Sequence, residues 1–483
     1  MSLAEGAGRA NALHHAIAPI LPVVLAAAAI ASLAGVVHAV AIVPLHVPLD
    51  PDEGWNAYHA AAAVAGRGLY PRPADFMINN YPPLSFYLVG LLGTLVGDQI
   101  IAGRIVSLFS FLTLCGLVAS LVRMSGASRR AAVFSMLSLS TALLVASDYV
   151  GMDDPQLLGH ALQMAAMLLV VRAPRSGGNM LAAALLFVAG GFVKHNLFVL
   201  PLAALLWLAL FDPRNARRFA LYATALIVAG LVLFWTEFGF DLLNRLNSAR
   251  EWSLAQSWSN FGTWLPFAAI PLCALSILLV RAPKGPAVAF AAIYVGIAIP
   301  VGAIFLGGAG VDVNAMFDAD IALALVVGLV LDCLLAGGEL ASRIAGSVFV
   351  IATFLPLFVS GAANTNWRTP SFWLQPMREE TALAARDIAF VRARPGPVIC
   401  ESLAFCYWAG KAAPVDVFNI DQQLRTRTRD PAPFLRFIQS RRYGAIELDE
   451  TAPFPLPQSA EAAISRNYRL DHADDEGIFF VPR

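Results

Sequence analysis

Charge is what this sequence has least of. Only 14% of its 483 residues are Asp, Glu, Lys or Arg, against about 25% in an ordinary soluble chain, while 58% are hydrophobic. The 33 basic and 33 acidic residues cancel, which removes the electrostatic footing for a nucleic-acid partner. Cysteine is also scarce, and Cys115, Cys273, Cys333, Cys400 and Cys406 show no zinc-site spacing. The first three lie in apolar runs and read as small hydrophobes. A cleavable leader is not evident either. The first apolar run, 17–43, is too long for a signal core and reads as an anchoring helix. No internal repeat is found, which disfavours a transporter built on paired halves.

Long apolar runs are what the sequence has instead. A helix needs about 20 apolar residues to cross the hydrocarbon core. Runs that approach this are 17–43, 100–122, 131–147, 156–171, 180–193, 197–211, 219–236, 264–280, 287–306, 318–335 and 344–361. The expected fold is a polytopic α-helical membrane protein with about eleven transmembrane helices in residues 1–361. Its first external loop is 44–99, and a small C-terminal α/β domain follows in 362–483. The run 82–97, opened by Pro82-Pro83 and closed by Gly97-Asp98, reads as an interfacial helix, with a short span as the alternative. Lys/Arg bias sets orientation. With 82–97 excluded, Arg123, Arg129, Arg130, Arg172, Arg214, Arg217, Arg218 and Arg281 fall on one side, and that side is cytoplasmic. The N-terminus is then inside, in the cell (inner) membrane, and the C-terminal domain is periplasmic or extracellular. In that domain Cys400 and Cys406 would meet an oxidising compartment, as a disulfide or as buried thiols.

Acids gather on the outer side, although topology does not require it. The densest group is Asp50-Pro51-Asp52-Glu53, with Asp52 placed to cap a helix that starts near Glu53 and carries Tyr58. A second pair, Asp153-Asp154, stands at the outer mouth of another span. Paired carboxylates suit a reaction in which one takes a proton while the other orients substrate or holds a cation. Arg104 lies about a turn inside its span, where an unpaired guanidinium is costly, and a salt bridge is the expectation there. Lys194-His195-Asn196 interrupts two apolar runs at an outer turn. For Lys194 an anionic ligand and a salt bridge to an acid both remain open.

Taken in order, several short motifs resemble the first external loop of the GT-C superfamily. They are Asp52-Glu53 with Tyr58, Gly66-Arg67-Gly68-Leu69-Tyr70, Asn80-Tyr81-Pro82-Pro83-Leu84, Gly97-Asp98 and Ala102-Gly103-Arg104. Asp153-Asp154-Pro155, Val193-Lys194-His195-Asn196, Asn314-Ala315-Met316-Phe317-Asp318 and the tail segment Gly396 to Lys411 extend the likeness over nearly the whole chain. That superfamily includes protein O-mannosyltransferases and the aminoarabinose transferase that modifies lipid A. The resemblance implies a glycosyltransferase with a polyprenyl-phosphate-linked sugar as donor and membrane lipids around it, acting outside the cytoplasm. The long insert of an O-mannosyltransferase is missing, so a lipid, a glycan or a protein remains open as acceptor.

The resemblance implies a role for the residue matching Asp52, and the charge pattern on the outer face suggests the others. Asp52 would be the catalytic base of a single displacement that inverts the anomeric carbon. Glu53 and Asp154 would join it, orienting the acceptor or binding a divalent cation. Lys194, Arg104 or Arg245 would stabilise the departing phosphate. Asp50, Tyr58, Tyr81, Asp153, His195, Asn314 and Asp318 would complete the substrate site. The rivals are a transporter or lipid-linked sugar flippase, and, among enzymes, an oligosaccharide ligase or polymerase.

Overall fold

The computed structural model describes residues 20–483, apart from 67, 73–74, 147–148, 173–176, 240–245, 247, 282–284, 338–339, 365–371, 373, 376 and 450–454. Each of the eleven apolar runs forms a helix. Together with two helices in the first loop they are α1 Ile20–Ile42, α2 Asp52–Val64, α3 Leu84–Val96, α4 Gln99–Met124, α5 Arg129–Ala146, α6 Gln156–Arg172, α7 Gly177–Val193, α8 Val199–Phe211, α9 Pro213–Phe238, α10 Leu254–Arg281, α11 Pro286–Phe305, α12 Phe317–Leu335 and α13 Leu340–Asn364. Six of them (α1, α4, α9, α10, α11 and α13) are long and apolar enough to cross a membrane by length and composition.

The bundle packs around α12, which touches α5, α10, α11 and α13. Residues 321–327 of that helix are all buried. Helices that are apolar on every side belong in a membrane or at the centre of a bundle. The outer helices show the membrane case: Phe109, Leu210, Leu233 and Val280 point outward, where only hydrocarbon suits them.

The first loop folds into α2 and α3, which pack on each other and on α4. Gly97, at φ 88°, closes α3 in the left-handed conformation that ends many helices. Asp98 then caps α4 by accepting the Ile101 amide at 3.1 Å. Two strong local signals thus turn the chain from the loop into the bundle.

The C-terminal domain holds α14 Arg378–Ala393, β1 Ile399–Cys400, α15 Leu403–Trp408, α16 Val417–Arg425, α17 Ala432–Gln439, β2 Ile446–Leu448, α18 Gln458–Asn467, β3 Tyr468–Asp474 and β4 Gly477–Pro482. Its sheet runs β1-β2-β4-β3, with β1 parallel to β2 and the other pairs antiparallel. Cys400 and Cys406 are disulfide-bonded, which settles the choice the sequence left open.

This domain sits directly on the first loop. Phe76 bridges to Val415, and the Tyr58 hydroxyl donates to the Lys411 carbonyl at 2.6 Å. The Trp408 indole donates to Asp98 at 2.9 Å, and the Gln99 amide donates to the Tyr407 hydroxyl at 2.9 Å. Gly54 lets α2 lie against α15, since a methyl group there would overlap the Ala404 amide.

Candidate active site

The site is built on a buried ion pair. Arg104, with no exposed surface, donates from Nε and Nη2 to the two oxygens of Glu53 at 2.7 and 2.6 Å. Its remaining hydrogens go to the carbonyls of Leu45 at 2.7 Å and Val47 at 2.6 Å, in the segment that leaves α1. Glu53 also accepts the amides of Leu49 at 2.9 Å and Asp153 at 3.0 Å. One fork therefore joins α1, α2, α4 and the α5–α6 turn. The salt bridge expected for Arg104 is present. The reacting role expected for Glu53 does not fit this geometry, because both of its oxygens are used and none of its surface is exposed.

Asp153 is buried over Gly103, a position that only glycine leaves open. Burial, reinforced by the charges of Glu53 and Asp154, pushes its carboxyl well above the usual range. Its carbonyl accepts the Asn56 amide at 2.7 Å. Asp154 divides its oxygens between the Gln156 amide at 2.6 Å and Lys194 Nζ at 3.3 Å. Burial pulls the Lys194 ammonium down, but Asp154 and Tyr81 outweigh it and hold the lysine charged. Lys194 also faces the ring of Tyr81 at 5.1 Å, and His195 meets that ring edge-on at 6.4 Å.

Asp52 differs from every acid around it. It is the first residue of α2, and the helix has no side-chain cap; Asp50 accepts the Asp52 amide instead, at 2.7 Å. The capping role expected for Asp52 is not taken up: the helix begins at Pro51-Asp52 without a side-chain cap. Asp52 is exposed, and its carboxylate makes no hydrogen bond among the described residues. Protein crowds the recess where it sits. That crowding raises its pKa, Asp154 adds to the rise, and Arg250 and Lys194 pull it back. Asp50 is pushed up to about 8, by burial first and then by the charge of Asp52.

Two contributors were missed from the sequence. Arg250 lies over the Phe418 ring at 5.1 Å, donates to the Ala309 carbonyl at 3.3 Å and acts electrostatically on Asp52. Asp416 comes from the C-terminal domain, accepts the Trp55 indole at 3.0 Å and is pushed up to about 6 by burial. Arg250 breaks the same orientation bias as Lys194, and that was the available signal. Asp416 carried none.

The remaining residues divide by depth. Asp318 accepts the Tyr294 hydroxyl at 2.6 Å and lies 3.9 Å from His160. The Gln156 side-chain amide lies 3.0 Å from His160 Nε2 and donates to the Asn314 carbonyl at 3.3 Å. Asn314 and Asp318 thus belong to a polar layer beneath Asp154. Tyr58 faces the C-terminal domain through Lys411 and Tyr407. Arg245 lies outside the described residues. Among those residues, no three histidine or carboxylate ligand atoms of this recess converge, so the divalent cation held open from the sequence has no three-ligand set here.

This apolar helical bundle, with its first loop packed under a small α/β domain, shares its overall fold with solved structures. Residues 80–236 match the family model for dolichyl-phosphate-mannose-protein mannosyltransferase. The structure is similar to that of ArnT from Cupriavidus metallidurans bound to undecaprenyl phosphate. The TM-score is 0.61 at 14% identity, over 93% of this chain and 96% of ArnT. It is also similar to the oligosaccharyltransferase AglB from Archaeoglobus fulgidus in complex with an inhibitory peptide and a dolichol-phosphate. There the TM-score is 0.55 at 12% identity, over 96% of this chain and 74% of AglB. No curated protein matches the sequence.

Proposed function

We propose that this protein is an inverting glycosyltransferase that moves a sugar from a polyprenyl-phosphate carrier to an acceptor outside the cytoplasm. The observation that carries the reading is Asp52: a solvent-reachable carboxylate, without a hydrogen bond among the described residues, on which Lys194 and Arg250 act electrostatically. The polyprenyl-type phosphates in the ArnT and AglB structures support a carrier of that class.

In the proposed step the acceptor nucleophile attacks the anomeric carbon as its proton passes to Asp52. The bond from that carbon to the phosphate oxygen breaks, and the carrier phosphate leaves with one more negative charge. Lys194 and Arg250 stabilise that charge, and they are worth most in a recess crowded by protein. A carboxylate with a raised pKa is the stronger base while it stays ionised. Asp154 positions Lys194, and the Glu53–Arg104 pair positions the segment that presents Asp52. Tyr58 serves as a tether. The chain would work in the cell membrane with its C-terminal domain outside, where the Cys400–Cys406 disulfide is chemically at home.

Mass spectrometry of lipid-linked sugars in cells with and without the gene tests the reading. A polyprenyl-phosphate sugar should accumulate without it, and purified protein should release polyprenyl phosphate from that lipid. The reading fails if the lipid pool is unchanged and the purified protein releases no carrier. The anomeric configuration of the product, read by NMR, tests inversion separately.

A further inference from the structure

The sugar-transfer site leaves unused a second cluster, in the C-terminal domain between α14 and the β3–β4 hairpin. His472 and Asp474 stand two residues apart on β3, so the alternation of a strand places them on one face. Helix α14 brings Asp387, wholly buried, against them, and one ligand atom from each of the three lies within 4.8 Å of the others.

The imidazole is oriented from behind. Its Nδ1 is 3.0 Å from Asp471 Oδ2, and its ring stacks on Phe479 at 4.5 Å and meets the edge of Phe390 at 4.8 Å. A carboxylate behind the far nitrogen is how metal-binding histidines are commonly held. With the Nδ1 hydrogen donated to Asp471, the Nε2 lone pair faces Asp387 Oδ1 at 3.2 Å. In that tautomer two lone pairs face each other, and a cation or a proton between them relieves the repulsion. Asp387 Oδ2 is buried and has no hydrogen-bond partner.

The surroundings are also acidic. Asp475 and Glu476 follow Asp474 directly in the chain. Arg386 answers part of this charge: it donates to Asp387 at 3.1 Å and pairs with Asp474. Its side chain is 53% exposed and has a way out to solvent.

We propose that Asp387, His472 and Asp474 form a binding site for a divalent transition-metal cation, best matched by zinc, with water completing the shell. One imidazole and two carboxylates suit an ion of that borderline character. The ion displaces Arg386 and ties α14 to the β3–β4 hairpin. Because it would bind the folded domain and not the unfolded chain, it stabilises the fold. The proposal does not depend on the sugar-transfer reading.

Its test is zinc titration of the full-length protein in detergent, stripped beforehand with EDTA, followed by calorimetry and thermal midpoint. The wild type should take up one zinc per chain with a higher midpoint, and His472→Gln should lose both. In case that variant does not fold, Arg386→Gln supplies an independent reading. Removal of a competing charge should tighten zinc binding by roughly tenfold or more. The alternative is a metal-free cluster in which a protonated His472 and Arg386 balance the acids. No zinc uptake by the wild type, with Arg386→Gln only lowering the midpoint, would establish that alternative. Uptake that survives in a folded His472→Gln would place the metal elsewhere and overturn the assignment.

Discussion

Asp52 and Glu53 are chain neighbours with opposite surroundings, because one helical step of about 100° turns one side chain to the recess and the other to the bundle. Asp52→Asn keeps the shape but cannot take a proton near neutral pH. Single-turnover transfer should fall by at least about 10²-fold, while the thermal midpoint barely moves. Near-normal transfer would remove Asp52 from the mechanism. Arg104→Met has the reverse signature, since it leaves Glu53 buried and unpaired. A loss of about 3–5 kcal/mol is expected, read by denaturant unfolding in detergent. Asp50 provides a pH signature. Its folded pKa of about 8 stands above the ordinary value of 3.8, so between those values the folded state holds a proton that the unfolded chain has lost. Its contribution to stability is therefore full below about pH 4 and is lost as pH rises towards 8. Asp50→Asn should flatten that part of the stability–pH curve, and an unchanged slope would show that the proton is not held there.

At the scale of elements, α2 is clamped between the bundle and the C-terminal domain, and Gly54 is where the clamp closes. A methyl group at Gly54 meets the Leu403–Ala404 backbone, which cannot rotate away as a side chain would. Gly54→Ala should lower both midpoint and turnover, because the helix that must shift also carries Asp52. Gly296→Ala, on α11 with open space around it, should leave both intact. A normal Gly54→Ala would mean that the two elements part at no cost.

The helices were legible in the sequence because a long apolar run has few other structures open to it in a membrane. The start of α2 was misread by one residue: capping preference is a local prior, and the helix starts with Asp52 already inside it, behind Pro51. The docking of Trp55 on Asp416, 361 residues away, leaves no periodic trace. Arg250 was visible only as a misplaced charge until its partners Phe418 and Ala309 were in place. The cluster Asp387–His472–Asp474 escaped for the same reason, since its helix and strand are far apart in the chain.

Which side of the membrane the site faces depends on α3. It has 13 residues, which at 1.5 Å per residue gives about 20 Å, well short of a hydrocarbon core of about 30 Å. Its outward residues Leu88, Leu91 and Leu95 suit a helix lying against lipid, and α2 and α4 hold its other face. If α3 does not cross, Asp52 at the start of α2 and Asp98 at the start of α4 share one side. The contacts of Asp98 with Trp408 and of Trp55 with Asp416 then place the C-terminal domain on that side too. The arginines at the α4–α5 turn, Arg123, Arg129 and Arg130, fall at the opposite end, where the Lys/Arg rule expects the cytoplasm. A reporter active only outside the cytoplasm should therefore work when fused after Arg483 and stay silent when inserted between Arg123 and Arg130. A second measurement does not depend on fusions: cysteines Cys400 and Cys406 should react with a membrane-impermeant thiol reagent in intact cells only after reduction and mild unfolding. An active reporter in the α4–α5 turn, with silence after Arg483, would put Asp52 in the cytoplasm and sink the proposed external transfer with it.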